Sequence, residues 1–231
     1  LLENKRNIGY VKAVNQGIAN GLNTAVDYIW IFNNDVTVEE NSLKRLVEAG
    51  QQDENIGVIA PVIYSYNSPE KIDNVGYKIN FWIGRLKRLK FGRDVFQNYN
   101  DTYAEVDSQL GCSTLIKSTV FKMVGNFQAI YNLYFEETDF NIRARKKGFR
   151  VVVVKDAKVW HKTASTMNKF ILRRAYLLVR NLLLFELLNA KTKHLLVFIP
   201  YYFLIHLPYF LICGSIYGLK VKLRKSRKGS I

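Results

Sequence analysis

Tyr134-Phe135-Glu136-Glu137-Thr138-Asp139-Phe140-Asn141-Ile142-Arg143, followed by Lys147-Gly148-Phe149-Arg150 and closing on Val159-Trp160-His161, is the stretch on which the reading of this chain turns. Three carboxylates fall within four positions, where acids favour the positive end of a helix dipole. The spacing predicts a helix over 136–147, with Gly148 placed to end it in the left-handed conformation that glycine tolerates. The valine-rich runs 151–154 and 158–161 then predict strands, the second closed by a histidine. A helix that feeds an apolar strand is one unit of an α/β sheet.

Upstream residues repeat the alternation. Val11, Val14, Ile18 and Leu22 give helical spacing over 10–24. Tyr28-Ile29-Trp30-Ile31-Phe32 is a continuous apolar run of strand length, the pattern of a strand buried on both faces. It ends in the polar triplet Asn33-Asn34-Asp35. Thr37-Val38-Glu39-Glu40 resembles a capping box ahead of a helix whose buried stripe is Leu43, Leu46 and Val47. Residues 56–64 form another buried strand. Residues 65–105 are more polar and predict hairpins and a loop, with a basic run from Arg85 to Lys90. A return strand over 106–118 and a short helix over 119–124 complete the pattern. The expected fold class is α/β, an open and mostly parallel sheet with flanking helices, followed by a helical C-terminal segment.

Charge divides the chain in the same place. The net charge is +15, yet residues 1–161 hold 21 Lys/Arg against 18 Asp/Glu. Residues 162–231 hold 13 Lys/Arg and one acid, Glu186. A near-neutral body with a basic tail fits an anionic surface as partner. The charge adjoins a long apolar segment and no aromatic-interleaved groove, so nucleic acid is not the expected partner. Two cysteines, Cys112 and Cys213, make a disulfide framework unlike the pattern of this chain. The expected domains are 1–165, a catalytic body, and 166–231, a helical membrane-associating segment.

The polar positions form two groups. Asp35 follows a strand, where ligands bind in open α/β sheets, and its hard oxygens suit Mg²⁺ or Mn²⁺. The same triplet also suits a plain turn. Glu136, Glu137 and Asp139 are either a solvated helix start or a partly buried acid cluster, since Leu133-Tyr134-Phe135 is apolar. In the second case repulsion raises one pKa, which suits a general base. Asp139 and Arg143 are also spaced for a helical salt bridge. His161 is either a metal ligand or a structural strand-end histidine. Asn7-x-Gly9 and Asn15-x-Gly17 read as local caps and turns.

Taken in order, Asn7-x-Gly9-x3-Ala13-x-Asn15-x-Gly17, Asn33-x-Asp35, Gly111 before a strand, Val124-Gly125-x-Phe127, Tyr134-Phe135-Glu136-Glu137-x-Asp139-x3-Arg143-x4-Gly148 and Val159-x-His161 closely resemble the inverting glycosyltransferases of family 2. The rhamnosyltransferase-like enzymes of cell-surface polysaccharide synthesis are the subgroup most similar. The resemblance covers about residues 4–185. It implies a GT-A-like fold, a nucleotide-sugar donor bound around Asn33, Asn34, Asp35 and Gly111, and a glycan or lipid-linked acceptor. Asp35 matches the second acid of the family's D-x-D signature, with Asn33 in place of the first, and His161 matches a histidine that completes the metal site. Glu137 stands where the family has the Asp of a Glu-Asp general-base pair. Either Glu137 reaches the acceptor hydroxyl, or Asp139 or Glu136 shares the task. Arg180-Asn181 resembles a pair in the helix behind the catalytic domain. The family begins with a strand and a nucleobase loop upstream of Asn7, so the chain, which opens Leu1-Leu2-Glu3, is expected to lack that piece. A non-catalytic sugar-nucleotide-binding relative or a membrane scaffold of the same fold is the alternative.

Residues 170–188 predict a helix, and 194–219 hold no Lys, Arg, Asp or Glu, enough to span a bilayer core. Pro200 and Pro208 interrupt them, and Lys220, Lys222, Arg224, Lys225, Arg227 and Lys228 follow. The expectation is a broken, re-entrant or surface-lying hairpin on the cytoplasmic face, held by anionic lipid.

Overall fold

The computed structural model describes residues 2–162 and 171–212. It divides into two compact units, Leu1–Ile79 with Leu86–Ser165, and Asn80–Arg85 with Thr166–Ile231. Sequence reading placed Asn80–Arg85 in the body. Cys213 and the basic cluster from Lys220 to Lys228 lie outside the described residues.

Up to His161 the elements are α1 (Tyr10–Asn23), β1 (Tyr28–Phe32), β2 (Val36–Val38), α2 (Ser42–Gln51), β3 (Ile56–Ser65), β4 (Ser68–Asn74), β5 (Tyr77–Asn80), β6 (Arg85–Arg88), β7 (Tyr103–Glu105), β8 (Ser113–Lys117), α3 (Ser118–Val124), α4 (Glu136–Lys146) and β9 (Arg150–His161), all in the first unit but for Asn80 and Arg85 at the tip of the β5–β6 hairpin. The main sheet runs β1-β8-β3-β9-β2, with β4 on β3 and β7 on β9. The β3–β9 pair is parallel, and β8 lies antiparallel between β1 and β3. Hence β1, β3 and β9 point the same way, while β2, β4, β7 and β8 return. The sheet is therefore more mixed than the expected mostly parallel order. The reason is local: β4 folds straight back on β3, and short β2 and β7 share the outer side of β9.

Both faces of the sheet are covered. Along β9, Val151 and Val153 face α1, α3 and α4, joining Val11, Ile18, Val120, Phe121, Phe140 and Ala144. Val152 and Val154 face the other way, toward Leu46 and Ala49 of α2. This is the two-residue period of a strand buried on both sides. Gly57 allows the close approach of α3, since a Cβ there would meet Val120 Cγ2 at 2.6 Å and Phe149 Cδ1 at 2.8 Å.

Several local expectations change. The strands 151–154 and 158–161 are one element, whose register with β3 shifts between Pro61 and Val62, opposite residues 155–157. β1 is half-buried rather than fully covered, and Phe32 is exposed, because β1 is an outer strand of the sheet in this chain. The Thr37–Glu40 segment is not a capping box. Thr37 pairs with Trp160 in β2, and α2 starts at Ser42, whose hydroxyl donates to Lys158 O at 2.8 Å and accepts from Lys158 N–H. The return strand is shorter than 106–118. Asn15 is not a local cap either: it grips the Phe127 backbone, accepting from its N–H at 3.2 Å and donating to its carbonyl at 2.8 Å.

The second unit holds α5 (Ile171–Asn189) and α6 (Thr192–Tyr201), with a π-helical turn over Tyr202–His206 that continues as helix to Ile212. Pro200 and Pro208 remove backbone donors on either side of that turn, and the helix accommodates them by widening, so the run is bulged and not broken. Phe81 stacks on Phe185 and His194, and the Tyr202 hydroxyl donates to Val179 O at 3.1 Å. Asn181 is fully buried beside Arg180, which donates to its Oδ1 at 2.8 Å.

Candidate active site

The carboxyl ends of β1 and β9 and the start of β8 meet at one edge of the sheet, the edge where open α/β sheets bind ligands. β2 sets the first pair of side chains. Val36 pairs with His161, and Lys162 N–H donates to Asp35 O at 3.0 Å. Asp35 Oδ1 then lies 3.3 Å from His161 Nε2. Asp35 Oδ1 and His161 Nδ1 are both buried without a hydrogen-bond partner. Two cis ligands at about 2.1 Å from an octahedral divalent ion lie about 3 Å apart, so the pair fits such an ion. Among the described residues no group of three or more His, Cys, Asp or Glu forms a complete cage. An ion held here draws its other ligands from a bound phosphate or water, as Mg²⁺ commonly does. Asn34 lies exposed in the turn. Asn33 N–H donates to Cys112 O at 2.9 Å, which ties the end of β1 to the start of β8, and the Tyr10 hydroxyl reaches Asn33 Oδ1 at 3.5 Å.

The second group stands at the start of α4. The backbone N–H groups of Glu137, Thr138 and Gly111 pull the pKa of the Glu137 carboxyl down. They favour the charged form, but burial outweighs them and pushes the pKa up. Glu136 is pushed up too, by burial first and then by the Glu137 charge. Each has an Oε2 that is shielded and unpartnered. A Cβ on Gly111 would sit 3.2 to 3.3 Å from Glu137 side-chain carbons, so glycine there lets the carboxylate seat against the backbone.

Asp139 is placed differently. Its Oδ1 accepts from the Tyr131 hydroxyl at 3.1 Å and its Oδ2 from Arg143 Nε at 2.7 Å. Arg143 also donates to Val124 O and Asn126 O, which locks α4 to the turn after α3. With both oxygens engaged and 1% exposure, Asp139 positions the helix. Asp139→Ala is expected to destabilise the fold by about 3–5 kcal/mol, because Arg143 would lose its buried partner. Chemical denaturation measures this; a loss under about 1 kcal/mol, the scale of an exposed pair, would show the pair to be dispensable.

The approach to α4 is strained. Asn132, Tyr134 and Phe135 take φ of 64°, 69° and 70°, a region that side chains other than glycine rarely adopt. Strain of this kind concentrates at functional sites.

Sequence reasoning missed Tyr10, Asp73 and Cys112. Burial pushes the Cys112 thiol up, and so do the charges of Asp35, Asp73 and Glu137. Burial and the charges of Glu136 and Glu137 likewise push up the Tyr10 phenol. Tyr10 and Cys112 read in sequence as ordinary core residues, and Asp73 lies in the irregular stretch 65–105.

The fold has solved counterparts. GalNAc-T7 with UDP, GalNAc and Mn²⁺ superposes with a TM-score of 0.57 at 15% identity, over 70% of this chain and 32% of that one. A mannosyltransferase from Pyrobaculum calidifontis in complex with GDP-Man and Mn²⁺ gives 0.54 at 13% identity, over 94% of this chain and 55% of that one. The chain thus spans about a third of the one and about half of the other. No curated protein matches by sequence. Residues 1–175 match the family described as glycosyltransferase like family 2. The mixed α/β sheet with its acids and histidine along one edge agrees with that match, and the chain belongs to glycosyltransferase-like family 2.

Proposed function

We propose that the protein is an inverting glycosyltransferase that moves a sugar from a nucleotide-sugar donor to a hydroxyl of a cell-surface glycan or lipid-linked saccharide. The observation that carries this reading is that the Asn33–Asp35 turn beside His161 and the close packing of Glu137 on Gly111 are joined at Gly111-Cys112, where Asn33 N–H donates to Cys112 O at 2.9 Å. The reading has the donor diphosphate beside Asp35, near the Asn33 turn and Gly111. A divalent ion, Mg²⁺ or Mn²⁺, supplies charge neutralisation for the leaving diphosphate when bound. Asp35 and His161 hold and orient that end of the donor. Glu137 takes the proton of the acceptor hydroxyl as its oxygen bonds to the anomeric carbon, and the electron pair of the breaking C–O bond leaves with the nucleoside diphosphate. Burial makes Glu137 a stronger base than an exposed carboxylate. Close packing on Gly111 limits where its oxygens point, so orientation carries much of the rate.

The direct test is product analysis by mass spectrometry with a panel of nucleotide sugars and saccharide acceptors. Transfer with release of nucleoside diphosphate supports the reading. Donor binding without turnover under any pairing would replace it with a non-catalytic sugar-nucleotide-binding protein.

The second unit adds a membrane expectation. The helix Thr192–Ile212 has 21 residues of mean hydropathy 1.9, and only 11% of its apolar window is buried. We place it in the cytoplasmic leaflet region of the cell membrane, with basic residues against anionic lipid. The protein is expected to sediment with membranes and to keep both its body and its C-terminus accessible from the cytoplasm. Recovery in the soluble fraction at physiological salt, or a C-terminal tag shielded from the cytoplasm, would contradict that placement.

A further inference from the structure

We propose that Asp73, Tyr77 and Arg88 form the acceptor subsite and grip neighbouring hydroxyls of a neutral saccharide beside Glu137. This deepens the glycosyltransferase reading and rests on it. The three residues come from the end of β4 and from the β5–β6 hairpin, a region outside every motif that marks the family resemblance. Leu89 N–H donates to Gly76 O at 3.0 Å, which sets Tyr77 opposite Arg88 at the root of the hairpin. Arg88 Nη1 lies 3.5 Å from Asp73 Oδ1.

The root of the hairpin is fixed to the helix that carries the base. Tyr77 N–H donates to Ser108 O at 2.8 Å, and Asp107 N–H donates to Tyr77 O at 3.0 Å. Ser108 Oγ bonds Thr138 Oγ1 at 3.3 Å and accepts from Asn141 Nδ2 at 3.1 Å. Thr138 follows Glu137 directly. The electrostatics agree with this path: the Tyr77 phenol feels both Arg88 and Glu137, and the Cys112 thiol feels Asp73 together with Glu137. Asn74, next to Asp73, is 2% exposed and its Nδ2 has no hydrogen-bond partner.

The chemistry selects the ligand. A sugar hydroxyl both donates and accepts. Asp73 offers acceptors, Arg88 offers a fork of donors, and the Tyr77 hydroxyl offers either. An anion is a poor fit, because Asp73 repels it at the point where it would meet Arg88. The Asp73–Arg88 pair is long, and the Arg88 side chain is 55% exposed, so it adds little to stability and is free to exchange its partner for a ligand.

The test uses the detergent-solubilised protein, nucleotide sugars and neutral octyl glycosides, with octyl glycosides carrying a phosphate as the anionic arm. Asp73→Asn and Arg88→Met are expected to raise the acceptor KM about ten- to hundredfold, the scale of a charge-assisted hydrogen bond. The loss should sit in KM more than in kcat, and donor affinity by calorimetry should stay at the wild-type value, which also reports that the fold is intact. Tyr77→Phe should give a smaller loss in the same direction. An unchanged acceptor KM would overturn the subsite. A matching loss of donor affinity would assign these residues to the donor instead. Preference for the phosphate-bearing glycoside would overturn the neutral class. Wild-type protein with no turnover at all would overturn the glycosyltransferase reading, and the subsite with it.

Discussion

Replacing Glu137 by Gln is expected to lower sugar transfer by about 10²–10⁴-fold, the usual cost of losing a general base, while donor affinity stays near wild type. Glutamine keeps the shape of the side chain, so its packing on Gly111 survives and the proton acceptor does not. Single-turnover assays with calorimetric donor binding separate the two effects. Near-normal transfer in the variant would remove Glu137 from the role. A comparable collapse in Glu136→Gln, with Glu137→Gln active, would move the role one residue back.

The same pair sets a pH dependence whose sign is fixed. Both carboxyls titrate above the ordinary value in the folded chain, because burial penalises the charge. The unfolded chain therefore binds fewer protons than the native one over the window between the ordinary carboxylate pKa and the raised native values. Stability from this pair is complete at the acid side of that window and falls as pH rises through it. Activity runs the other way, since the base must lose its proton.

Chelation of divalent metal is expected to reduce transfer on the order of a thousandfold, as several kcal/mol of leaving-group stabilisation disappear, with recovery on adding Mg²⁺ or Mn²⁺. Asp35→Ala and His161→Ala should each weaken metal-dependent donor binding, because Asp35 Oδ1 and His161 Nε2 are 3.3 Å apart and neither alone provides the pair. Full activity in chelator would refute the metal role. Loss confined to Asp35→Ala would return His161 to a structural part in the β2–β9 ladder.

What the sequence made legible was whatever local pattern controls. Tyr28–Phe32 and the helix at Glu136 stand where apolar runs and acid placement put them. The Asn33-to-Asp35 turn, Gly111, the start of α4 and His161 come from segments far apart in the chain, and their order in the family pattern was enough to group them. Strand direction was not legible. Whether a return strand such as β8 slots between β1 and β3 depends on tertiary pairing, and a run like Ser113–Lys117 reads the same either way. Asp139 illustrates a second limit. Sequence places it one turn from Arg143 and beside two other acids. Only packing reveals that Tyr131 and Arg143 occupy both of its oxygens, whereas Glu137 keeps one free. Asp73, Tyr77 and Arg88 escaped because hairpins bring residues together without any periodic signature.

The left-handed corner at Tyr134 and Phe135 bears on how this protein can change over generations. Each such residue costs about 1–2 kcal/mol relative to an ordinary backbone conformation, and the segment feeds directly into the helix that aims Glu137. A lineage selected for heat resistance alone would find easy gains there by relaxing the turn. Under the proposed mechanism it would drift away from catalysis as it did so, because the bend that costs stability leads directly into the helix that carries Glu137. The two bulky aromatic residues at that bend are thus a place where durability and activity are bred against each other.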